Sequence, residues 1–493
     1  MDRQELSNGI TIVGLGPGDP GLLTCQAAEW LEKAEVIYLR TRHHPIAAYL
    51  PVEKISSFDG YYETGNTFEE VYEKIVSSVL ELGSRPEGVT YAVPGHPFVA
   101  EATSPEIVRR AKEAKIPVRV LDGLSFLEPT FTLLDLDPFP RCALVDALEL
   151  ASQHHPAFPP DMPVLISQIY SREVASNVKL TLMAVYPDEH PVKLVHAAGT
   201  SEAVVENLPL FEIDRSRHIG LLSSLYVTPL EKETSFEAFQ ELVAHLRAPE
   251  GCPWDREQTH ESLRSTLLEE TYEVIFALDQ ADAAGLQEEL GDLMLQIVLH
   301  AQIAAEEGEF RMTDVLRGIH TKLVRRHPHV FGNVRLDSSD RVVRNWEKLK
   351  ADERRENGNE KQKGLLDGVP LALPSLAQAQ SFQARAARVG FDWNEITPVI
   401  EKVREELEEV LAADEACRET ELGDLLFAAV NLARWYKVDA ESALRATNQR
   451  FARRFAHIEK RASETGRSLH EMTLKEMDMF WDEAKAIEKG DGS

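Results

Sequence analysis

Residues 405–433 read EELEEVLAADEACRETELGDLLFAAVNLA and join two acidic, apolar segments through a short connection. Side chains three or four positions apart lie on one face of an α-helix, so Glu406 shares a face with Glu409. By the same spacing, Glu421 shares a face with Asp424 on the next helix. Antiparallel packing of the two helices would bring these four carboxylates together. The stretch therefore predicts a helical hairpin with an acidic centre.

The acidic pattern occurs twice, which indicates an internal repeat. The first copy reads EETYEV at residues 269–274 and EELGDLM at residues 288–294. Its acidic set is Glu270, Glu273, Glu289 and Asp292. Further along, LRGIHTKLVRRHPH at residues 316–329 aligns without a gap with LRATNQRFARRFAH at residues 444–457. Two copies that share acidic and basic segments indicate duplication of a helical unit.

Like charges packed this closely are unfavourable unless a cation lies among them. Four hard oxygen ligands suit Mg²⁺ or Mn²⁺ rather than zinc, and such an ion would hold a polyphosphate and lower the pKa of a bound water. A lone acidic helix more often presents a solvated face, but apolar residues crowd the acids at 421–433. A di-iron carboxylate bundle is a competing interpretation. It normally needs Glu-x-x-His, which neither copy has.

Basic side chains follow each acidic set and suit a phosphate substrate. They are Lys322, Arg325 and Arg326 in the first copy and Arg450, Arg453 and Arg454 in the second. Such groups can neutralise charge on phosphoryl oxygens as a bond breaks, which makes Arg450 and Arg453 candidate catalytic residues. The alternatives, a solvated basic face or ion pairs with acidic helices, stay open.

Charge and composition limit the classes of function. A net charge of −29 over 493 residues repels a phosphate backbone, so we expect no nucleic-acid partner. The sequence has no run of about eighteen apolar residues and no basic, apolar leader. We therefore expect neither a membrane span nor a secretory signal. The four cysteines form no CxxC pair, which favours a reducing cytoplasm.

Composition changes near residue 230. Before it, short β-branched runs at residues 10–13, 36–39, 89–93, 118–121 and 164–166 alternate with turns and helical stretches. This alternation predicts an α/β domain with a largely parallel sheet, whereas the later chain has a helical period. The polar segment ADERRENGNEKQK looks like a linker. We predict domains at residues 1–230, 231–350 and 364–493, with the linker at 351–363.

The helical half resembles the MazG family of nucleoside triphosphate pyrophosphohydrolases over about residues 232–490. The resemblance rests on the repeated acidic pattern and on GCPWDREQTHESL (251–263), RRHPHVFG (325–332), LLDGVPLALPSLAQAQ (365–380) and RAARVGFDW (385–393). It implies an all-α fold, usually dimeric, that releases nucleoside monophosphate and pyrophosphate. It also implies a metal site at Glu406, Glu409, Glu421 and Asp424, and an equivalent one at Glu270, Glu273, Glu289 and Asp292.

The same resemblance implies substrate contacts at Asn431, Arg434 and Asn448. Arg450 departs from the family, whose second copy commonly has lysine there, so charge is kept while geometry changes. Trp254 is a candidate for stacking on a base, and a structural role in the lead-in to a helix is the alternative. Lys322, Arg325 and Arg326 complete the predicted substrate residues.

The N-terminal segment ITIVGLGPGDPGLLTCQA (10–27) predicts a strand, a glycine-rich turn and a helix. Gly14, Gly16 and Gly18 would allow close backbone approach to a ligand, although a purely structural turn is the alternative. With YAVPGHPFVAEATS (91–104) and VLDGLSFLEP (120–129), this segment resembles the tetrapyrrole methylase family over about residues 8–228.

The methylase resemblance implies two α/β lobes with S-adenosylmethionine bound in the cleft between them. The residues it places at the cofactor are Pro94, Gly95, His96, Pro97 and Ser125. His96 stands where the family usually has aspartate, so it is either a turn-stabilising residue or a base.

The whole arrangement resembles the YabN-type fusions of a methylase-like domain with two MazG repeats. It implies a multidomain protein in which a two-lobed α/β domain precedes all-α helical bundle repeats. We expect a metal-dependent hydrolase of nucleoside triphosphates, fused to an S-adenosylmethionine-binding methyltransferase domain. One alternative makes the N-terminal domain a non-catalytic ligand sensor. Another makes the repeats a nucleotide-binding module without turnover.

Overall fold

A computed structural model describes residues 9–65, 67–338, 341–342, 345–346, 349 and 364–490. The chain divides into two compact units, Met1–Leu242 and Val243–Ser493. The predicted linker at 351–363 lies outside the described residues. The finer division at residues 230, 350 and 363 stays a prediction.

The first sheet of the N-terminal unit is entirely parallel. Its strands are β1 (Ile10–Gly14), β2 (Ile37–Leu39), β3 (Ile55–Ser57), β4 (Val89–Val93) and β5 (Val118–Leu121), in the order β3-β2-β4-β1-β5. The helices along this part are α1 (Cys25–Lys33), α2 (Asp59–Thr64), α3 (Phe68–Gly83) and α4 (Thr103–Glu113). The β-branched runs at 10–13, 36–39, 89–93 and 118–121 therefore form strands as predicted.

Both faces of the first sheet are buried. Ile10 and Ile12 pack with the apolar residues of α3, while Val13 packs with those of α1. Successive side chains of a strand point to opposite faces, so a continuous apolar run suits a strand covered on both sides.

The second sheet is mixed and differs from the predicted largely parallel arrangement. Its strands are β6 (Ala143–Asp146), β7 (Val164–Ser167), β8 (Pro191–His196), β9 (Val204–Pro209) and β10 (Ser223–Val227), in the order β6-β7-β10-β8-β9. Of these pairs only β6 with β7 is parallel. The connection from β8 to β9 is too short for the crossover that a parallel pair needs. The helices here are α5 (Leu127–Leu134), α6 (Ala147–Ala151) and α7 (Arg172–Leu182).

The C-terminal unit is helical, as predicted, and has no strand among its described residues. After α8 (Phe236–Arg247), which spans the division between the units, come α9 (Pro253–Arg256), α10 (Arg264–Asp279), α11 (Ala283–Glu307), α12 (Met312–Arg326) and α13 (Pro328–Phe331). They are followed by α14 (Ser375–Arg388), α15 (Ile396–Ala412), α16 (Arg418–Trp435), α17 (Ala440–Glu464) and α18 (Leu474–Gly490).

Two helical hairpins form the frame of this unit. Helix α10 packs along α11, and α15 packs along α16. The short connections between the partners make each pair antiparallel. Asp282 caps α11 by accepting hydrogen bonds from the backbone N–H groups of Ala284 and Gly285. Over the described part of the chain, no helix is both long and apolar enough to cross a bilayer.

Candidate functional site

The second hairpin brings three of the four predicted carboxylates together. One oxygen each of Glu406, Glu421 and Asp424 lies within 4.8 Å of the others. We call these three the second acidic trio. Glu406 is only 6% exposed, so its charge is removed from bulk water. Burial raises the pKa of Glu409, and the charges of Glu406 and Glu421 raise it further. Glu409 therefore faces the same cluster from outside the trio.

Lys402 is a residue of this cluster that the sequence analysis missed. Its Nζ lies 2.8 Å from Glu406 Oε1 and 2.9 Å from Glu405 Oε1. These contacts raise the pKa of Lys402, so the ammonium stays charged. The signal was available, because Lys402 precedes Glu406 by one helical turn and side chains at that spacing meet.

A cavity of about 350 Å³ adjoins the second acidic trio. We call it the hairpin cavity. Its wall combines carboxylates with aromatic rings, an amide and a guanidinium. The lining residues used below are Phe382, Gln383, Asp392, Trp393, Lys402, Glu406, Asp424, Phe427, Asn431 and Arg434. The cavity lies within the range of sizes of small-molecule sites and has their character, mostly apolar with few polar groups.

Gln383 presents an unpaired acceptor in this wall. The side chain is 8% exposed, and its Nε2 donates to the backbone carbonyl oxygen of Phe427 at 2.8 Å. That bond fixes the amide orientation, because a flipped amide would set two carbonyl oxygens against each other. Within the described chain, Gln383 Oε1 has no hydrogen-bond partner. A buried acceptor without a donor is costly, which indicates that a ligand N–H belongs there.

Two of the three substrate residues implied by the MazG resemblance line the hairpin cavity. Arg434 donates from Nε to Asn431 Oδ1 at 2.9 Å and from Nη2 to Asp392 Oδ1 at 2.7 Å. Burial opposes ionisation of Asp392, but the hydrogen bonds from Arg434 and Trp435 hold its pKa below the usual value. Asn448 is exposed on α17 and is not part of the cavity wall.

The arginines of α17 contact a different helix. Arg454 lies 2.6 Å from Glu488 of α18 and stacks over Trp481, while Arg453 lies 3.8 Å from Glu488. Arg450 donates to Thr447 Oγ1 at 2.7 Å. These arginines do not line the hairpin cavity. Ion pairing, the alternative left open above, describes Arg453 and Arg454 in this structure, and their catalytic assignment stays a prediction.

The first hairpin forms a matching cluster, the first acidic trio, from Glu270, Glu273 and Glu289, again with one oxygen each within 4.8 Å. Burial raises the pKa of Glu270, and the nearby charges of Asp292 and Glu273 raise it further. Asp292 therefore acts on this trio from outside it. Aligning EETYEV with EELEEV places Thr266 where the second hairpin has Lys402.

The other predicted substrate residues lie on α9 and α12. Lys322 and Arg325 are exposed on α12, and Arg326 stacks over Trp346 with 5.6 Å between guanidinium carbon and ring centre. Trp254 is 65% exposed, and its backbone carbonyl oxygen accepts a hydrogen bond from Gln258 Nε2. Their roles toward substrate stay predictions.

Glycine loops at the carboxyl ends of the strands shape the N-terminal unit. Gly16 and Gly95 exchange backbone hydrogen bonds of 2.8 and 3.2 Å, and both have positive φ angles, 72° and 67°. A Cβ on Gly14 would lie 2.6 Å from the backbone nitrogen of Gly123. Gly18, at φ 142°, lies further along the first loop. Gly14 is required because the backbones approach too closely for a side chain, and Gly16, Gly18 and Gly95 are favoured by their positive φ angles.

A cavity of about 200 Å³, the methylase cleft, lies beside these loops. Its wall includes Pro94, Gly95 and Ser125, which the methylase resemblance implies. Of the described residues, Gly14, Gly16, Gly18, His96 and Pro97 do not line it. His96 accepts the Phe98 N–H at Nδ1 over 3.1 Å, so it stabilises the turn.

Arg40 and His44 also line the methylase cleft, and the sequence analysis missed both. Arg40 pairs with the buried carboxylate of Glu101 and donates to the hydroxyls of Tyr62 and Tyr72 at 3.0 and 3.2 Å. Burial lowers the pKa of His44 to about 4, so its imidazole is neutral at physiological pH. A charged guanidinium and a neutral ring thus face the cleft.

These features define a two-lobed α/β methylase fold joined to an all-α protein with paired carboxylate hairpins. In agreement, residues 9–214 match the Tetrapyrrole (Corrin/Porphyrin) Methylases, and residues 258–331 match the MazG nucleotide pyrophosphohydrolase domain. Protein YabN of Bacillus subtilis is 43% identical, with 97% of this chain and 99% of YabN aligned. The chain belongs to the YabN family of fusions between these two domains.

MazG proteins without the fused domain align with the helical part. The nucleoside triphosphate pyrophosphohydrolase/pyrophosphatase MazG of Thermotoga maritima is 45% identical over 51% of this chain and 95% of its own. The nucleoside triphosphate pyrophosphohydrolase of Escherichia coli K12 is 43% identical over 50% of this chain and 95% of its own. The chain is therefore an enzyme of the MazG nucleoside triphosphate pyrophosphohydrolase family.

Proposed function

We propose that the second MazG repeat hydrolyses nucleoside triphosphates to nucleoside monophosphate and pyrophosphate. One observation carries this proposal: Glu406 and Asp424 belong to the wall of the same cavity as Phe382, Trp393 and Gln383. A nucleotide has the same division, with an apolar base at one end and phosphates that need cations at the other. The MazG relatives from T. maritima and E. coli are named as nucleoside triphosphate pyrophosphohydrolases, which supports cleavage between the α- and β-phosphates.

The second acidic trio suits Mg²⁺ or Mn²⁺. Its donors are all carboxylate oxygens, and the single charge of Lys402 beside the buried Glu406 does not balance the three carboxylates. We assign Glu406, Glu421 and Asp424 as ligands, with Glu409 completing the set. A bound ion would supply positive charge to the phosphates and a water of lowered pKa.

The remaining residues bind and orient the nucleotide. Aromatic rings of the hairpin cavity contact the base, and Gln383 Oε1 accepts one of its N–H groups. Arg434 and Asn431 offer polar groups at the wall, and Lys402 holds positive charge beside Glu406. Water attacks the α-phosphorus, the bond to the bridging oxygen breaks, and pyrophosphate leaves with the bridging oxygen.

Product analysis tests this proposal. Wild-type protein with Mg²⁺ should release nucleoside monophosphate and pyrophosphate in equal amounts from a panel of ribo- and deoxyribonucleoside triphosphates. Chelation should abolish release, and Asp424→Asn should lower its rate by about 100-fold. Asp482→Asn, an exposed aspartate of α18, is the matched control. Orthophosphate as the first product, or no product with any divalent ion, would refute the proposal.

We further propose that the methylase cleft binds S-adenosylmethionine. Family membership supports this, as do Pro94, Gly95 and Ser125 in the cleft wall. Arg40 offers a cation to the ligand's carboxylate. Two outcomes divide the functions: S-adenosylhomocysteine formed with a tetrapyrrole acceptor supports methyl transfer, and binding without transfer supports the ligand-sensor alternative.

Calorimetry with S-adenosylmethionine checks the cleft itself. Val99→Trp places a large ring at the cleft wall and should abolish binding. Val36→Trp, at an exposed position elsewhere, should leave binding unchanged. Equal binding by wild type and Val99→Trp would place the ligand elsewhere.

The helical unit also supports the expected homodimer. Large apolar side chains of the second hairpin are exposed, among them Leu411, Leu422, Leu426 and Phe427. Such a surface is unfavourable in water and suits pairing with a second copy. Light scattering after gel filtration measures the mass in solution, which should be that of two chains. A cytoplasmic location stays our expectation.

A further inference from the structure

A mixed histidine and carboxylate cluster lies outside both acidic trios. His260 belongs to the motif GCPWDREQTHESL, which the proposed reaction leaves without a role, and sits in the turn before α10. Glu307 ends α11, and Glu309 follows it. One ligand atom each of His260, Glu307 and Glu309 lies within 4.8 Å of the others. These three residues form the histidine cluster.

The charges at this place lack a counter-ion. The carboxyl end of a helix carries partial negative charge, and α11 adds two carboxylates to it. Arg247 pairs with the neighbouring Glu306 at 2.7 Å. Within the described residues, neither Glu307 nor Glu309 forms an ion pair with lysine or arginine. The site therefore favours a cation.

His260 itself does not supply the missing contact. Among described residues, it forms no hydrogen bond or ion pair with Glu307 or Glu309, although its ligand nitrogen lies within 4.8 Å of their oxygens. These atoms lie beyond hydrogen-bond reach but within 4.8 Å of one another. Two bonds of about 2.1 Å that meet at a tetrahedral metal ion span about 3.4 Å, so side-chain shifts of about 1 Å would bring the atoms onto a shared ion.

A second imidazole holds His260 in place. His260 Nδ1 lies 2.7 Å from His300 Nδ1, and the two rings meet edge to edge, with 5.0 Å between their centres and 9° between their planes. Only one proton fits between the two nitrogens. With that proton on His260, its Nε2 carries a lone pair and His300 fixes the ring. Metal-binding histidines typically have such a partner on the other ring nitrogen.

His300 gives the second indication of a built site. Its Nε2 is buried and has no hydrogen-bond partner in the described structure. Burying an unpaired polar atom is unfavourable, and the bond to His260 occupies Nδ1 and leaves this cost in place. Proteins keep such a group where it serves a site, here by holding the ring that orients His260.

We propose that His260, Glu307 and Glu309 bind a first-row transition-metal ion of the Zn²⁺ class, with His300 as the positioning residue. One imidazole with two carboxylates favours Zn²⁺, Co²⁺ or Mn²⁺ over Mg²⁺. The ion ties the turn before α10 to the carboxyl end of α11, the two helices that carry the first acidic trio. This site is separate from the proposed hydrolytic site and does not depend on it.

Co²⁺ is the probe that distinguishes this site from the carboxylate trios. Metal-free full-length protein is titrated with Co²⁺ in excess Mg²⁺, which keeps the all-oxygen sites occupied. Wild type should develop a visible absorption band that saturates at one equivalent of Co²⁺. The band should be of the kind given by Co²⁺ with a nitrogen ligand and a low coordination number. His260→Ala and Glu309→Gln should lose it, and His320→Ala, an exposed histidine of α12, should keep it.

Several outcomes would overturn the assignment: no band in wild type, or the same band in His260→Ala. Glu309 is exposed, so Glu309→Gln keeps the test valid if His260→Ala fails to fold. Zn²⁺ should raise the melting temperature of wild type by a few degrees and that of Glu309→Gln by much less. Pyrophosphate release with Mg²⁺ should persist in Glu309→Gln, so failure of this site and failure of the hydrolase are distinguishable.

Discussion

The two acidic trios share a sequence pattern but differ in their surroundings. In each hairpin three carboxylate oxygens converge within 4.8 Å. Glu406 in the second hairpin is buried and paired with Lys402, whereas Glu270 in the first is half-buried. The position that matches Lys402 is Thr266, which carries no charge.

This difference shows that bringing the carboxylates together is not enough to form a catalytic site. Helical spacing places the acids on one face of each helix, and antiparallel packing of the two helices brings them together in both hairpins. In the first hairpin, burial raises the pKa of Glu270 and of Glu289, and the charges of neighbouring carboxylates raise it further. In the second, the lysine offsets part of the repulsion, and a cavity with aromatic walls adjoins the acids. We therefore expect catalysis from the second repeat.

The largest expected effect comes from removing one acidic set at a time. Glu406→Gln with Asp424→Asn should lower kcat for pyrophosphate release by about 100- to 1,000-fold, because the metal and its charge stabilisation are lost. Glu270→Gln with Asp292→Asn should change kcat by less than about threefold. Equal losses of kcat in both double variants would show that the repeats act together. A larger loss in the first repeat than in the second would assign catalysis to the first.

The cavity is tested next, through Gln383. Gln383→Leu keeps the approximate shape but removes the acceptor together with the donor to Phe427, so KM should rise about tenfold while kcat changes little. Hydrolysis of ribose 5-triphosphate, which has no base, should be unaffected. Gln449→Leu on α17 serves as the control. An unchanged KM for every nucleotide would mean that the base does not contact Gln383.

Removing the lysine from the second hairpin, or adding one at the matching position of the first, should have a smaller effect. Lys402→Met leaves Glu406 without its cation and should destabilise the metal-free protein by about 1 kcal/mol, a modest value because the lysine is partly exposed. Saturating Mg²⁺ should reduce the loss. Thr266→Lys should slightly stabilise the first hairpin.

Melting temperatures in chelator and in Mg²⁺ measure both variants, with the exposed Lys475→Met as control. If Lys402→Met melts identically in both conditions, Lys402 and the metal do not share Glu406.

The smallest expected effect is a dependence of stability on pH. Glu270 and Glu289 have folded pKa values above their ordinary value of 4.5. The folded state therefore binds protons before the unfolded state does, and stability rises as pH falls through the folded pKa toward 4.5. Above that window, the repulsion persists.

Calorimetric melts across pH in chelator measure this term. Glu270→Gln with Glu289→Gln should flatten the dependence relative to wild type, and Glu409→Gln should flatten it less. Saturating Mg²⁺ should have the same flattening effect. If stability depends on pH identically in wild type and in the double variant, repulsion between these carboxylates does not affect stability.

Local spacing determined much of this protein. The α/β half and four strands of the first sheet follow from short β-branched runs between turns, and the all-α half and the acidic faces of both hairpins follow from the helical period of about 3.6. Both patterns depend only on neighbouring residues. Lys402 could have been found in the same way, because it lies one turn before Glu406.

Only the tertiary structure decided the rest. It made the second sheet mostly antiparallel, because β8 returns directly into β9 and β10 lies between β7 and β8, antiparallel to both, which the sequence pattern did not reveal. It also assembled the hairpin cavity from residues 366–434 and left the acceptor of Gln383 unpaired within it. Burial and unmet hydrogen bonds depend on distant segments packing together, so they are properties of the folded chain rather than of any one stretch.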